Sequence, residues 1–385
     1  MITLKGKYNT ALVMIDVIDE TTKIQIEGFL NHPAFAHSFI VIMPDCHAGA
    51  GSVIGTTMKM NAYIIPNVVG VDIGCGVLTI NLGKLEINLK ELDDFIKKNI
   101  PSGFAHRQIP LLDEGILEMI DTCFVGRMAN SLGRIDEDFE KVLCQLGTLG
   151  GGNHFIEIDE DTSENKWLTI HTGSRNFGLK IAKYHQKIAK EKLESYFIES
   201  ELYKGLEYLP LDSLEGQDYI NDMKTAQRFA QLNRDCIANE IISGFFKQSF
   251  GSQYKIESIH NYINFEDKII RKGAIQANIG QRLIIPFNMR DGVAVCTGKG
   301  NSKWNNSAPH GAGRIMSRTR AKKELQLDMF KREMDGIYTT TADQGTIDES
   351  PMAYKDKDLI IEAVKETVSI DFLIKPIYNF KAGGE

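Results

Sequence analysis

The most apolar stretch of the chain, Ile64 to Leu82, cannot become one long element. Pro66, Asp72 and the glycines Gly70, Gly74 and Gly76 interrupt it. Proline removes a backbone donor, and glycine weakens the interior of helices and strands. The stretch is therefore excluded as a membrane span and must fold as short pieces joined by turns. The same pattern fills the first third of the chain. Ala11 to Ile15, Phe39 to Met43, Val68 to Val71 and Val77 to Leu82 are short apolar runs, and each reads as a buried strand. Glycine is frequent at 34 residues while proline contributes only 10. That balance suggests tight backbone approaches rather than disordered linkers.

Helical periodicity appears later. Leu89 to Lys98 reads as a short helix. Leu179 to Phe197 places Ile181, Tyr184, Ile188 and Leu193 on one stripe, and Asp218 to Phe246 turns Phe229, Leu232, Ile237 and Ile241 inward. A strand-rich stretch follows from Ile256 to Val295, and Gly311 to Asp335 reads as a third helix. No repeat, low-complexity segment or composition shift marks a linker. With 385 residues, 43% of them hydrophobic, the chain can bury a large core. The expectation is a single α+β domain over residues 1–385, with mixed β-sheets, flanking helices and a helical excursion at about 178–250.

The net charge is -7 and the pI about 5.8. Proteins that coat long nucleic acid through phosphate contacts are usually basic, so the balance argues against a non-specific binder. It leaves room for an enzyme that grips one end with a few local arginines. The six cysteines, Cys46, Cys75, Cys123, Cys144, Cys236 and Cys296, form no CxxC pair and no dense framework. This is cytosolic usage, with thiols available for metal or catalysis. Met1-Ile2-Thr3-Leu4-Lys5 lacks the plan of a signal peptide, so the expectation is cytoplasmic.

Of nine histidines, His32, His37, His106 and His185 sit in ordinary polar or helical context and read as structural or surface residues. The other five lie in turn-like segments beside Gly, Asp, Cys or Asn: His47, His154, His171, His260 and His310. Val71-Asp72-Ile73-Gly74-Cys75-Gly76 adds a carboxylate and a thiol close enough to share one turn. Carboxylate, thiolate and imidazole together suit a divalent transition metal better than Mg or Ca. A thiolate between two ions can bridge them, and two-metal sites clamp phosphoryl transfer. Any one of these residues alone is more often a hydrogen-bonded core histidine or a buried thiol. As a set they are harder to explain as packing, although no HExxH or paired CxxC is present.

Two further segments bear on phosphate chemistry. The Gly147 to Gly152 cluster resembles a phosphate cradle but lacks the GK[ST] ending of a P-loop. Asn153 and Glu157, on either side of His154, offer polar contacts to a ligand. His310 stands before Gly311-Ala312-Gly313 at the start of the expected third helix, where a helix N-terminus would favour phosphate. Arg314 and Arg318 follow, four apart on one face. A histidine in such a setting can be a nucleophile on phosphorus; a basic helix face capped by a histidine is the plainer alternative. The Lys-x-Asp-Gly motif of lysine-dependent nucleotidyl-transferring ligases is absent. Met289-Arg290-Asp291-Gly292 and Met334-Asp335-Gly336 lack its lysine, so a covalently held nucleotide would need another residue.

Taken together, the segments resemble the RtcB family of RNA ligases. The matching stretches are Pro44-Asp45-Cys46-His47, Val71 to Val77, Gly152 to Glu157, His171 to Arg175, His260-Asn261, Arg271 to Ala274, His310 to Arg314 with Met316 to Arg318, Tyr354-Lys355-Asp356 and Lys381. They run in family order over nearly the whole chain. The resemblance implies a central metal cleft with two Mn ions. Asp72, Cys75 and His154 look like ligands of one, and Cys75, His171 and His260 like ligands of the other. It implies that His310 is the nucleophile toward GTP, with Asp45, Arg175, Arg314 and Arg318 in the catalytic group. The arginines would grip RNA phosphate, which positions the substrate without reading its sequence. The implied nucleotide pocket comprises Asn153, His154, Phe155, Ile156, Glu157, His260, Asn261, Pro286, Asn288, Met289, His310, Gly311, Ala312, Gly313 and Lys381.

The implied reaction joins a 2′,3′-cyclic phosphate or 3′-phosphate RNA end to a 5′-hydroxyl end through a histidine–GMP intermediate, in RNA repair or tRNA splicing. The chain departs from the family pattern at Pro286-Phe287-Asn288-Met289, where many members carry Pro-Gly-Ser/Thr-Met. Val293, Arg290-Asp291-Gly292 and Gly298-Lys299-Gly300-Asn301 differ as well. These departures look like those of a divergent branch associated with repair of damaged RNA and with a protein partner such as an activator or a release-factor homologue. Two alternatives stay open on the residues: a Mn-dependent RNA cyclic phosphodiesterase or phosphatase that does not join ends, and a non-catalytic metal or RNA-binding relative.

Overall fold

Two sheets organise the chain, and their registers decide where the chemistry gathers. The computed structural model describes residues 1–111, 114–195 and 203–383. The first sheet has six strands in the order Ile2–Lys5, Thr10–Val13, Ile40–His47, Ile54–Lys59, Ile269–Lys272 and Asn261–Asn264. It is mixed, because Thr10–Val13 and Ile40–His47 run parallel. The second has seven antiparallel strands, in the order Lys255–Ile259, Gly76–Gly83, Lys166–Thr172, Phe155–Glu160, Val368–Lys381, Val293–Gly298 and Arg282–Pro286. In Ile40–His47 every residue but the last is buried. Strands covered on both faces require such near-continuous apolar runs.

The helices form a layer against the sheets. Arg175–Ser195 and Leu214–Asn239 pack side by side, and Thr122–Ile135 lies against both. The Ser213 side chain accepts a hydrogen bond from the Gly216 N–H and so caps the longest helix. Phe229, Leu232 and Ile237 are buried, as the periodicity predicts, and each such side chain contributes roughly 1.5–3 kcal/mol. The helix ends in a π-turn over Glu240–Phe245 that buries Ile241. The helix expected from Leu179 begins earlier, at Arg175; Tyr196 and Phe197 lie outside the described residues. The result is the expected α+β architecture. No helix among the described residues is long and apolar enough to cross a membrane.

Two local expectations are corrected. Val68 to Val71 is not a strand: Pro66–Val69 forms one helical turn with proline in its first turn, where its fixed φ suits a helix and its missing N–H costs nothing. Nor is Gly311 to Asp335 one helix. Gly313 adopts φ +74, and the chain stays irregular until Ser317, whose side chain caps a helix at Arg318–Glu324. A second short helix covers Leu327–Glu333. His310 therefore does not stand at a helix N-terminus, and the phosphate-binding argument built on one falls away.

Candidate functional site

Strand register brings the metal-type residues together. Ile259 pairs with Gly76, Gly76 with Thr172, and His171 with Phe155. His260, Cys75, His171 and His154 thus sit at the same end of adjacent strands, within one residue of these pairings. The His260 N–H donates to the Cys75 carbonyl at 2.9 Å, which fixes the outermost of them. Cys75 Sγ lies 3.5 Å from His154 Nε2 and 3.3 Å from His171 Nε2. His171 Nε2 lies 3.3 Å from His260 Nε2, and His154 Nε2 lies 3.0 Å from Asp72 Oδ2. All of these side chains but Asp72 are buried. Gly173 makes room for Asp72, since a Cβ there would collide with the carboxylate.

The donor set fits a metal ion. His154 Nδ1 stands 2.8 Å from the Leu149 carbonyl, and His171 Nδ1 stands 3.1 Å from the Asn153 carbonyl. Carbonyls only accept, so both rings carry a proton on Nδ1 and turn Nε2 toward the sulfur. Orientation through the second nitrogen is the usual support of a ligating histidine. Burial, then the charges of neighbouring groups, pushes His171 and His260 well below the ordinary imidazole range. Burial and the Asp72 carboxylate push the Cys75 thiol well up. Burial would also raise Asp72, but its hydrogen bond to His154 and the charge there bring it down to about 2. Imidazoles, a carboxylate and a thiol placed in this way form a ligand set whose thiol proton a bound cation would release. Cys75, His154 and His171 place their ligand atoms within 4.8 Å of one another.

Beside this cluster stands His310, with its ring centroid 4.8 Å from that of His260. Its Nδ1 donates to Asp45 Oδ2 at 2.6 Å and its backbone N–H to the same oxygen at 3.1 Å. Asp45 is fully buried at the end of the Ile40–His47 run. Gly313 lies against the Asp45 carbonyl so closely that any Cβ would clash. The ring is thereby held with Nε2 free of the carboxylate. His310 lines a cavity with His47, Asn153, Phe155, Glu157, Pro286, Phe287, Asn288, Met289, Gly311, Ala312, Gly313, Arg314, Arg318, Tyr354 and Lys381.

That cavity is rich in charge. Glu349, buried at its edge, pairs with Lys381 at 2.7 Å, Arg318 at 2.5 Å and Arg314 at 3.2 Å, and accepts from the Tyr354 hydroxyl at 2.7 Å. Burial opposes ionisation there, yet Lys381, Arg318 and Arg314 bring Glu349 down to about 2. Arg318 also reaches Asp348 at 2.7 Å. Two residues before Lys381 on the same strand, the Asn379 amide donates to Glu157 at 2.6 Å. Burial and neighbouring Asp159 push Glu157 well up, and burial raises Asp159 to about 6.

Several of the residues expected in the nucleotide pocket stand elsewhere. Ile156 points into an apolar core between the sheets and helices, because it alternates with Phe155 and Glu157 along its strand. Asn261 does not line the cavity: its amide donates to the Asp72 carbonyl at 3.3 Å and its oxygen accepts from the Gly273 N–H at 2.9 Å. His154 and His260 face the metal-type cluster. The side chain of Asn288 is engaged by Asp291 at 2.7 Å, and Phe287 is buried in an apolar cluster with Ile285 and Ala312 at the cavity's edge. Arg314 and Arg318 are not neighbours on a helix; they converge through Glu349. Arg175 lines a second cavity on the other side of the cluster, of about 780 Å³, with Asp72, Gly151 and Gly152.

Glu349, Asp348 and Asn379 were not singled out by sequence. Asn379 was within reach, since it pairs with Glu157 two positions before Lys381 pairs with Phe155. Glu349 carries no such signal.

An α+β chain with a Cys/His cluster of metal-ligating type and a carboxylate-oriented histidine above a cationic cavity has the groups that enzymes of phosphoryl transfer use. Comparison with known proteins narrows the class. The family described as tRNA-splicing ligase RtcB matches residues 25–382. The RNA-splicing ligase RtcB of Escherichia coli is 32% identical over 90% of this chain and 91% of its own length. The tRNA-splicing ligase RtcB of Aeropyrum pernix is 31% identical over 87% and 86%, and that of Thermococcus kodakarensis 29% over 86% and 84%. The chain belongs to the RtcB family of RNA ligases.

Proposed function

We propose that this chain is a GTP- and manganese-dependent ligase that joins 2′,3′-cyclic phosphate or 3′-phosphate RNA ends to 5′-hydroxyl ends through guanylylated His310. The carrying observation is the doubly anchored Asp45–His310 pair at the mouth of a cationic cavity beside the Cys/His cluster. Asp72, Cys75 and His154 would hold one Mn ion, and Cys75, His171 and His260 a second. Bound there, the ions supply positive charge against the charge that develops on phosphoryl oxygens.

The protein's own groups account for the rest. Asp45 keeps the proton on His310 Nδ1, so that the Nε2 lone pair attacks the α-phosphorus of GTP. An N–P bond forms, the bond to pyrophosphate breaks, and pyrophosphate leaves. Lys381, Arg314 and Arg318 hold the phosphates by charge-assisted hydrogen bonds. Water opens the cyclic phosphate to a 3′-phosphate, which takes GMP from His310. The 5′-hydroxyl then attacks the activated phosphorus and GMP departs. Asn153, Phe155 and Glu157 contact the nucleotide, and Arg175 meets the RNA end. We take residues 1–385 as one ligase domain acting in RNA repair or tRNA splicing. A protein partner such as an activator or a release-factor homologue fits the departures around Phe287. The six cysteines form no disulfide among the described residues, which fits a cytoplasmic location.

Incubation with α-labelled GTP and Mn should label the protein, and His310→Ala should abolish the label. A label that survives this change removes the nucleophile. Opening of a cyclic phosphate end without GTP, and with no joining, would instead establish a phosphodiesterase.

A further inference from the structure

We propose that Phe104 is a stacking platform for the unpaired nucleobase of an RNA end seated in the second cavity. The inference rests on the RNA-ligase reading and adds a contact to it. Phe104 is 80% exposed and joins none of the apolar clusters. Its loop is nonetheless rigidly tied. The Gly103 N–H donates to the Gly150 carbonyl at 2.9 Å, and the Arg107 N–H donates to the Cys144 carbonyl at 3.0 Å. The Arg107 guanidinium adds bonds to the Leu146 and Gly147 carbonyls at 3.2 and 3.0 Å. Between these anchors the Ala105 N–H closes a turn onto the Ser102 carbonyl at 3.2 Å. An aromatic ring presented to water on a fixed turn contributes nothing to the core and loses little entropy when a partner covers it.

The surroundings name the partner. Phe104 lines the cavity that also contains Arg175, Lys141 and Lys322, and its carboxylates are engaged: Asp348 by Arg318, Glu137 by Lys180 and Asp72 by His154. Arg175 donates to the Gly103 carbonyl at 3.2 Å, which sets its guanidinium beside the ring's own turn. Lys141 is exposed and has no carboxylate partner among the described residues. An aromatic face flanked by cations is the arrangement that binds single-stranded nucleic acid, one base on the ring and the backbone along the charges. Asp72 connects this cavity to the metal-type cluster, and Arg318 lines both cavities. A base on Phe104 therefore places the phosphate or hydroxyl of the same strand toward the reacting centre. Stacking reads the π-face of any base, so this contact should be indifferent to sequence.

The test compares the full-length protein with Phe104→Ala and Phe104→Trp. Short oligonucleotides carry either a 3′-phosphate or a 5′-hydroxyl end, each with a normal or an abasic terminal nucleotide. Phe104→Ala should raise KM for one of the two ends by about tenfold while GTP labelling of His310 is unchanged. The abasic form of that end should erase the difference from wild type and so identify which end is stacked. In Phe104→Trp the new indole is exposed, whereas Trp167 and Trp304 are buried, so its emission should be quenched by that oligonucleotide. Equal KM values on both ends, or a penalty that persists with abasic ends, would overturn the proposal. Absence of GTP labelling in wild type would sink the ligase reading and leave the quenching; absence of quenching with labelling intact would sink the stacking alone.

Discussion

One carboxylate oxygen, Asp45 Oδ2, receives two hydrogen bonds from His310: from the ring at 2.6 Å and from the backbone N–H at 3.1 Å. The second bond fixes the histidine's main chain, so the first sets both tautomer and ring direction. Among the described residues Asp45 Oδ1 is buried without a partner, so the hydrogen bonds that the carboxylate receives come from His310 alone. Such a carboxylate orients an imidazole without taking its proton.

Asp45→Asn should therefore leave the fold intact and slow guanylylation on the order of 10³-fold, because an amide can donate to Nδ1 and so move the ring proton to Nε2. The measurement is the rate of label uptake from GTP, with unchanged circular dichroism as a control. A rate within a few-fold of wild type would show that the pair is structural.

The Cys/His cluster makes a prediction that does not depend on activity. Co(II) bound in place of Mn should give a thiolate-to-metal absorption band, which Cys75→Ser should remove. His171→Ala should weaken metal binding strongly, since His171 sits between the sulfur and His260. Loss of an outer support, by altering the Asn153 carbonyl's neighbourhood, should cost about 10–100-fold in affinity. An unchanged absorption band in Cys75→Ser would remove the thiolate from the coordination set.

Much of this site was legible as local segments and little of it as geometry. The turn-flanked histidines and the Asp72–Cys75 turn stand out in sequence because glycine and imidazole punctuate apolar runs. Their convergence depends on register between strands whose residues lie 79 and 96 positions apart, and no local pattern carries that. The third helix was misread because its periodicity spans Gly313, whose positive φ and contact with Asp45 belong to the tertiary structure. Glu349 was invisible for a related reason. It is one acidic residue in a short 3-10 turn, and it gains meaning only where Lys381, Arg314 and Arg318 arrive from separate segments.

Glu157 and Asp159 point to the same side of one strand, and burial raises both carboxyls. Two such groups share a proton at neutral pH. Their folded-state pKa values exceed the unfolded ones, so the folded protein binds more protons and stability falls as pH rises from about 4. Glu157→Gln supplies an amide where the protonated carboxyl stands and can still accept from Asn379. It should match wild type near pH 4 and exceed it by roughly 1–3 kcal/mol above pH 6. Urea unfolding at the two pH values decides; a variant less stable at pH 7 would mean that both carboxyls are ionised.

Glu349 should show the opposite dependence. Its folded-state pKa of about 2 lies below the unfolded value, so the folded protein binds fewer protons between them. The stabilisation is complete above about pH 4.5 and is lost as pH falls toward 2. Glu349→Gln removes it and leaves Lys381 and Arg314 buried without their carboxylate. Arg318 is 42% exposed, so solvent screens its share, and the cost at pH 7 should be roughly 1–3 kcal/mol. The same change should weaken GTP binding, because released cations no longer stay in place around the phosphates. Unfolding curves for both proteins from pH 7 to pH 2.5 should converge at the acid end, and a gap that stays constant across that range would assign the loss to packing rather than charge.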